Sequence, residues 1–146
     1  MANTIRTLII DNYDSYTFNL FQCAGSTDTP PPVVIRNDQY PWEYVRDAIL
    51  PFVDNVIVSP GPGSADRVAD FGVCAQVLRH ARLPILGVCL GHQGICIGEG
   101  GHVNPAGVLR HGRMSDIIHG STGLFAGVPS PFLAVRYHSL VAVNGA

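Results

Sequence analysis

The residues best suited to chemistry surround Cys89. It lies in the sequence Gly87-Val88-Cys89-Leu90-Gly91, with a glycine two residues before and two residues after the thiol. The apolar run before it predicts a short buried strand that must end, reverse and enter a helix. Side chains at the flanking positions would collide in such a turn, so the pattern indicates a nucleophile elbow with sulfur in place of oxygen. We expect the first N–H groups of that helix to favour the thiolate. The alternative is a buried structural cysteine.

Attack of a thiolate on a carbonyl carbon creates an oxyanion, which needs preorganised N–H donors. Leu90 supplies one donor directly after the nucleophile. Gly61 and Gly63, in the sequence Ser-Pro-Gly-Pro-Gly at residues 59–63, have no Cβ and can bring their amides close to a ligand. Taken alone, that segment fits a simple turn equally well.

Acyl transfer by cysteine also needs a base, usually a histidine with a group that orients it. The candidates are the six histidines of the chain: His80, His92, His102, His111, His119 and His138. His80 is expected at a helix end, and His92 is too close in sequence to reach back to Cys89, so we expect it to support the elbow. Spacing favours His138, which follows a predicted strand, yet no carboxylate is placed to orient it. Residue chemistry therefore provides a nucleophile and oxyanion donors without a base.

Alternating strands and helices must position these residues. The predicted strands cover residues 7–10, 33–35, 55–59 and 84–88, with helices at about 15–24, 41–50 and 66–82 and a last helix after the elbow. This alternation predicts a parallel sheet, whose ligand sites lie at the carboxyl ends of the strands. Residues 11–15, 59–63 and 89–93 should therefore converge at one edge. After Gly101 we expect short antiparallel strands.

Composition excludes several classes of protein. The chain has 146 residues, 47% of them hydrophobic, and a net charge of −2, which predicts one domain with a real core and no nucleic-acid partner. No apolar stretch is long enough for a membrane helix, and the N-terminus lacks the features of a signal peptide. We therefore expect a soluble cytoplasmic protein without a membrane partner. The four cysteines form no C-x-x-C pair, so we expect free thiols and no metal.

Five segments resemble, in order, the motifs of the class I (triad) glutamine amidotransferase family. They are residues 10–19, 59–63, 87–93, 111–113 and 137–140. Their order and their spread over nearly the whole chain identify it as a member. Residues 111–115 and 135–140 are more similar to the aminodeoxychorismate synthase group, of the fused fungal and plant kind, than to anthranilate synthase.

The resemblance implies an α/β fold with an open, mostly parallel, flavodoxin-like sheet and helices on both faces. It also implies an enzyme without a cofactor in this domain, which hydrolyses glutamine through a thioester and passes ammonia to a chorismate-binding synthase, fused or separate. By position, Cys89 is the nucleophile, and Gly61, Gly63 and Leu90 form the oxyanion hole. The substrate glutamine contacts the sequence Gly61-Pro62-Gly63, together with Gln93, Ser139 and Leu140. His138 then belongs to a substrate-binding segment and is not the base.

The chain departs from the family at its C-terminal end. The triad histidine and glutamate of the family lie in a His-Pro-Glu motif downstream of residues 137–140, and these 146 residues contain no such motif. We therefore expect residues 1–146 to be a type 1 glutamine amidotransferase domain that is incomplete at its C-terminus and inactive alone. A second hypothesis is a non-catalytic truncated product. A third, a flavodoxin-like phosphate or flavin binder, explains neither the cysteine elbow nor the glycine loop.

Overall fold

The computed structural model of the chain describes residues 4–25 and 30–143, except for the side chains of residues 108–111. His111, one of the six histidines, therefore has a side chain outside the described part. The chain divides into two compact units, one of Met1–Val103 with Ala142–Ala146 and one of Asn104–Val141. The candidate nucleophile belongs to the first unit.

The first unit is built on a four-stranded parallel sheet. Its strands are β1 (Thr7–Asp11), β2 (Val33–Arg36), β3 (Asn55–Val58) and β4 (Ile85–Gly87), in the order β2-β1-β3-β4. Ile10 of β1 pairs with Ile35 on one side and Val58 on the other, and Val58 in turn pairs with Gly87. The predicted α/β fold with a parallel sheet is confirmed. The ends of β1, β3 and β4 are consequently neighbours.

The central strand is buried on both faces, which explains its continuous apolar sequence. Leu8 and Ile10 are fully buried and belong to a core with Val56 and Val58. Ile9 is equally buried but points to the opposite face, because side chains alternate along a strand. Packing on both faces fixes the register of β1 and so fixes where its carboxyl end lies.

Helices occupy the segments between the strands. They are α1 (Thr17–Gly25), α2 (Trp42–Tyr44), α3 (Val68–Phe71), α4 (Cys74–His80) and α5 (Leu90–Gly98). A π-helical turn (Val45–Ile49) and a 3₁₀ turn (Leu50–Phe52) continue α2. In the described part of the chain, none of the helices combines the length and the apolar character needed to cross a membrane.

The prediction of one continuous helix over residues 66–82 is wrong, because Gly72 separates α3 from α4. Gly72 has a φ of +49°, and a Cβ there would overlap the carbonyl oxygen of Asn37. That carbonyl accepts the N–H of Val73, the residue just before α4, at 2.8 Å. The loop after β2 thus intrudes where a straight helix would pass.

The second unit contains most of a two-stranded sheet formed by β5 (His102–Ile117) and β6 (Phe132–Val143). The expectation of short strands after Gly101 is wrong, because β5 and β6 are 16 and 12 residues long. A 3₁₀ turn (Gly123–Phe125) lies in the connection.

Candidate active site

Cys89 occupies a strained turn between β4 and α5. Its φ of 52° and ψ of −104° lie in a region that non-glycine residues rarely adopt. The turn is held by neighbouring backbone: Val88 N–H donates to the Val58 carbonyl at 3.0 Å, and Gly91 N–H donates to the Val88 carbonyl at 3.0 Å. Such strain persists only where the surrounding structure enforces it, and it is typical of functional sites.

The two flanking glycines are required by close backbone contacts. A Cβ on Gly87 would lie 2.5 Å from the carbonyl carbon of Gly91 and 2.6 Å from the His92 nitrogen. A Cβ on Gly91 would overlap the carbonyl oxygen of Val58 in the neighbouring strand. The predicted steric need for glycine at these two positions is confirmed. His92 itself contributes only its backbone to the elbow, because its side chain is exposed.

The electrostatic surroundings of Cys89 differ from our expectation. The thiol is exposed at the surface, yet partial desolvation by its neighbours raises its pKa. The Leu90 N–H donates a hydrogen bond to the sulfur and lowers that pKa, while the Asp14 carboxylate raises it again. The Leu90 N–H at the start of α5 thus favours the thiolate, as expected, but desolvation outweighs it and the net direction of the pKa shift is upward.

The loop after β3 contacts the elbow directly. We call residues 60–63 the glycine loop. A Cβ on Gly61 would lie 2.5 Å from Asn12 Cβ and 2.9 Å from Leu90 Cδ2, so Gly61 is wedged between the loop after β1 and the first residue of α5. Gly63, with a φ of +84°, packs against the side chain of Asp70. Pro62 between them is exposed. The structure therefore brings Gly61 and Leu90 together.

Gln93 lies one turn into α5, and its backbone N–H donates to the Cys89 carbonyl at 2.9 Å. It is 7% exposed, and its side chain is not among those whose polar atoms are both buried and without a partner. Ser139 and Leu140 lie in β6, in the second unit, where Ser139 is exposed and Leu140 is half-buried.

A buried polar network that the sequence analysis missed lies behind the glycine loop. Asn12, 1% exposed, receives the Asn37 amide on its Oδ1 at 2.9 Å and donates its own amide to the Ser59 carbonyl at 3.0 Å. The backbone N–H of Asn12 donates to Ser59 Oγ at 2.9 Å. Cys74, whose pKa burial raises to about 12, donates its S–H to the same Asn12 oxygen at 3.4 Å. The available signal was a pair of asparagines directly following β1 and β2.

Two histidines of the second unit are held by hydrogen bonds at both ring nitrogens. His138 Nε2 accepts from Arg136 at 3.1 Å, so its Nδ1 carries the proton and donates to the Leu140 carbonyl at 2.7 Å. His119 Nδ1 accepts from a backbone N–H at 3.0 Å, and its Nε2 contacts a carbonyl oxygen at 3.0 Å. Neither ring has a free nitrogen for proton transfer. In the described part of the first unit, no histidine hydrogen-bonds to Cys89.

A parallel α/β sheet that carries a cysteine elbow and a glycine loop at its carboxyl edge defines the class of domain. The chain belongs to the family described as "Glutamine amidotransferase class-I", whose model matches residues 8–145. The family resemblance and the fold drawn from the sequence are thereby confirmed.

Individual proteins are similar to this chain over nearly all of it. An aminodeoxychorismate synthase of Streptomyces griseus is 52% identical over 140 residues, which are 96% of this chain and 19% of that protein. An anthranilate synthase component 2 of Methanothermobacter marburgensis is 49% identical over 138 residues, which are 91% of this chain and 68% of that protein. The crystal structure of a glutamine amidotransferase from Thermotoga maritima has a TM-score of 0.69 at 15% identity, over 97% of this chain and 64% of that one, and is similar in fold. The chain thus spans under a fifth of the Streptomyces relative.

Proposed function

We propose that this chain is the glutamine-hydrolysing portion of an aminodeoxychorismate synthase. Cys89 attacks the side-chain carbonyl carbon of glutamine, forming a sulfur–carbon bond. The carbon–nitrogen bond then breaks, and ammonia leaves with the thiol proton. Water hydrolyses the thioester to glutamate. The ammonia passes to a synthase portion, fused or separate, that aminates chorismate to 4-amino-4-deoxychorismate, the precursor of 4-aminobenzoate and folate.

One observation carries the proposal: Gly61 is wedged against Leu90, so the glycine loop faces the cysteine elbow. A tetrahedral oxyanion is stabilised most by backbone N–H donors that need no rearrangement. Gly61 and Gly63 supply them from the loop and Leu90 from the helix. The chemistry needs neither a metal nor a cofactor in this domain, and a cytoplasmic location is part of the proposal.

The second candidate is component 2 of an anthranilate synthase. It is favoured by the Methanothermobacter relative, which this chain matches over 68% of its length. The two candidates share every step at Cys89 and differ in the synthase portion. Product analysis of the protein assembled with its synthase portion, given chorismate and glutamine, separates them: 4-amino-4-deoxychorismate supports the first and anthranilate the second.

The site itself is tested by labelling with 6-diazo-5-oxo-norleucine, a glutamine analogue with a diazoketone in place of the amide. The thiolate forms a bond to the diazo carbon, which takes up a proton as dinitrogen leaves. We expect modification of Cys89, resolved by peptide mass spectrometry, and protection by glutamine. The exposed Cys23 serves as the internal control. Labelling of Cys89 that is no faster than that of Cys23, or that glutamine does not slow, would contradict the proposed function.

A further inference from the structure

The glycine loop is held at both ends by side chains that do not belong to it. At its start, the Asn12 amide donates to the carbonyl of Ser59 at 3.0 Å. At its end, the Ser64 N–H donates to Asp70 Oδ2 at 3.0 Å. The same carboxylate fills the space that a Cβ on Gly63 would need, and Arg67 lies 3.6 Å from it. The loop is therefore fixed from both sides through its backbone.

Asn37 joins the two attachments. Its side-chain amide donates to Asn12 Oδ1 at 2.9 Å and to the Asp70 carbonyl at 2.9 Å. Asn37 is 4% exposed and Asn12 is 1% exposed, so these bonds lie out of water, where breaking one leaves an unsatisfied polar group. We call Asn12, Asn37 and Asp70 the clamp. It connects the ends of β1 and β2 with α3.

The clamp also sets the distance between the glycine loop and the elbow. Asn12, through its Cβ and carbonyl oxygen, and the Leu90 side chain both occupy the space that a Cβ on Gly61 would need. Leu90 is 1% exposed and cannot move away without disturbing the core. A shift of Asn12 or Asp70 would therefore change where the loop amides point.

We infer that Asn12, Asn37 and Asp70 are positioning residues that hold the amides of Gly61 and Gly63 at the geometry of the oxyanion. The inference rests on the proposed function. None of the three touches the reacting atoms; they act through the loop backbone. Their loss should affect reactions that use the loop amides and spare reactions that use only the thiol.

Two reagents measure the loop geometry and the reactivity of the thiol separately. Iodoacetamide alkylates any accessible thiolate, whereas 6-diazo-5-oxo-norleucine carries a ketone oxygen where glutamine has its amide oxygen. The rate constant for 6-diazo-5-oxo-norleucine at Cys89, divided by the rate constant for iodoacetamide, reports the loop geometry independently of thiol exposure.

Asp70→Ala removes the acceptor of the Ser64 N–H, and because Asp70 is only partly buried the variant should fold. Asp66→Ala is the matched control: it carries the same charge change at an exposed position.

We expect Asp70→Ala to lower the ratio about 10-fold, a part of the 10²–10³ that loss of an oxyanion donor costs. Asp66→Ala should leave the ratio unchanged. Asp70→Asn should restore it, because an amide oxygen can still accept the Ser64 N–H. Asn12→Ser tests the other end of the loop and should act in the same direction, with folding checked by thermal melting.

The possible outcomes distinguish the two proposals. If the native chain shows no glutamine-protected labelling of Cys89, the proposed function fails. If the native chain shows it and folded Asp70→Ala keeps the native ratio, the clamp inference is wrong and the proposed function stands. An Asp70→Asn variant as impaired as Asp70→Ala also overturns the inference, because the hydrogen bond would then not be the cause.

Discussion

Cys89 has a strained backbone conformation, and its surroundings disfavour the thiolate. Its φ is positive, and partial desolvation and, to a lesser extent, the Asp14 carboxylate raise the pKa of its thiol. The Leu90 N–H is the single favourable contribution. A thiol in this state is predominantly protonated at neutral pH, so attack on an amide requires a group that takes the proton.

Asp14→Asn should make Cys89 more reactive. The substitution removes a negative charge that disfavours the thiolate, so it lowers the Cys89 pKa and raises the thiolate fraction at pH 7. The Asn oxygen can still accept the Tyr16 N–H, which Asp14 receives at 2.8 Å. We expect iodoacetamide to alkylate Cys89 about two- to fivefold faster at pH 7, with the native and variant rates converging at high pH. Equal rates at pH 7 would show that Asp14 has no influence; Asp66→Asn is the control.

The sequence predicted those site residues that are required by the local shape of the backbone. The elbow glycines follow from the sharpness of the turn, and their contacts confirm it. The clamp could not be predicted, because Asn12, Asn37 and Asp70 are 25 and 33 positions apart, respectively, and meet only through the fold. The raised pKa of Cys89 could not be predicted for the same reason, because desolvation depends on which segments surround the thiol.

Among the elements, α5 depends on one close approach to the sheet. Gly91 in its first turn contacts the Val58 carbonyl, and a Cβ there would force the helix away from β3. We expect Gly91→Ala to lower the free energy of unfolding by about 2–3 kcal/mol, as measured by urea denaturation. Gly98→Ala, at the other end of the same helix, meets nothing within 4 Å and should be neutral or stabilising by up to about 1 kcal/mol. Similar destabilisation by both variants would refute the contact as the cause.

Strands and helices were predicted correctly where an apolar pattern in the segment itself decides the structure. They were predicted wrongly where a contact with a distant segment decides it. The order of the four strands in the sheet was not predicted, but the strands themselves follow from apolar runs bounded by polar loops. The break at Gly72 does not, because helical spacing continues across it while the Asn37 carbonyl occupies the space beyond. The region after Gly101 was divided wrongly, because short strands were expected there and the structure has two long ones, β5 (His102–Ile117) and β6 (Phe132–Val143).

For the whole molecule, the proposed site combines the Cys89 thiol with the glycine loop, and these 146 residues contain no His-Pro-Glu sequence. Among the described residues, His119 and His138 use both ring nitrogens in hydrogen bonds. A raised Cys89 pKa makes the need for a base greater. The proposed chemistry at Cys89 therefore needs a group that takes the thiol proton.

These 146 residues should accordingly turn glutamine over about 10⁴- to 10⁶-fold more slowly than a class I amidotransferase with an intact triad, as loss of a triad base does elsewhere. Added imidazole can take the thiol proton in place of the missing base, so turnover should rise in proportion to its concentration. Cys89→Ser should show no such rescue, which separates base replacement from hydrolysis by imidazole itself. Ammonia release measured with and without imidazole checks both points. Native turnover at the level of an intact triad would mean that a histidine of this chain serves as the base, and His111→Ala would then be the first variant to examine.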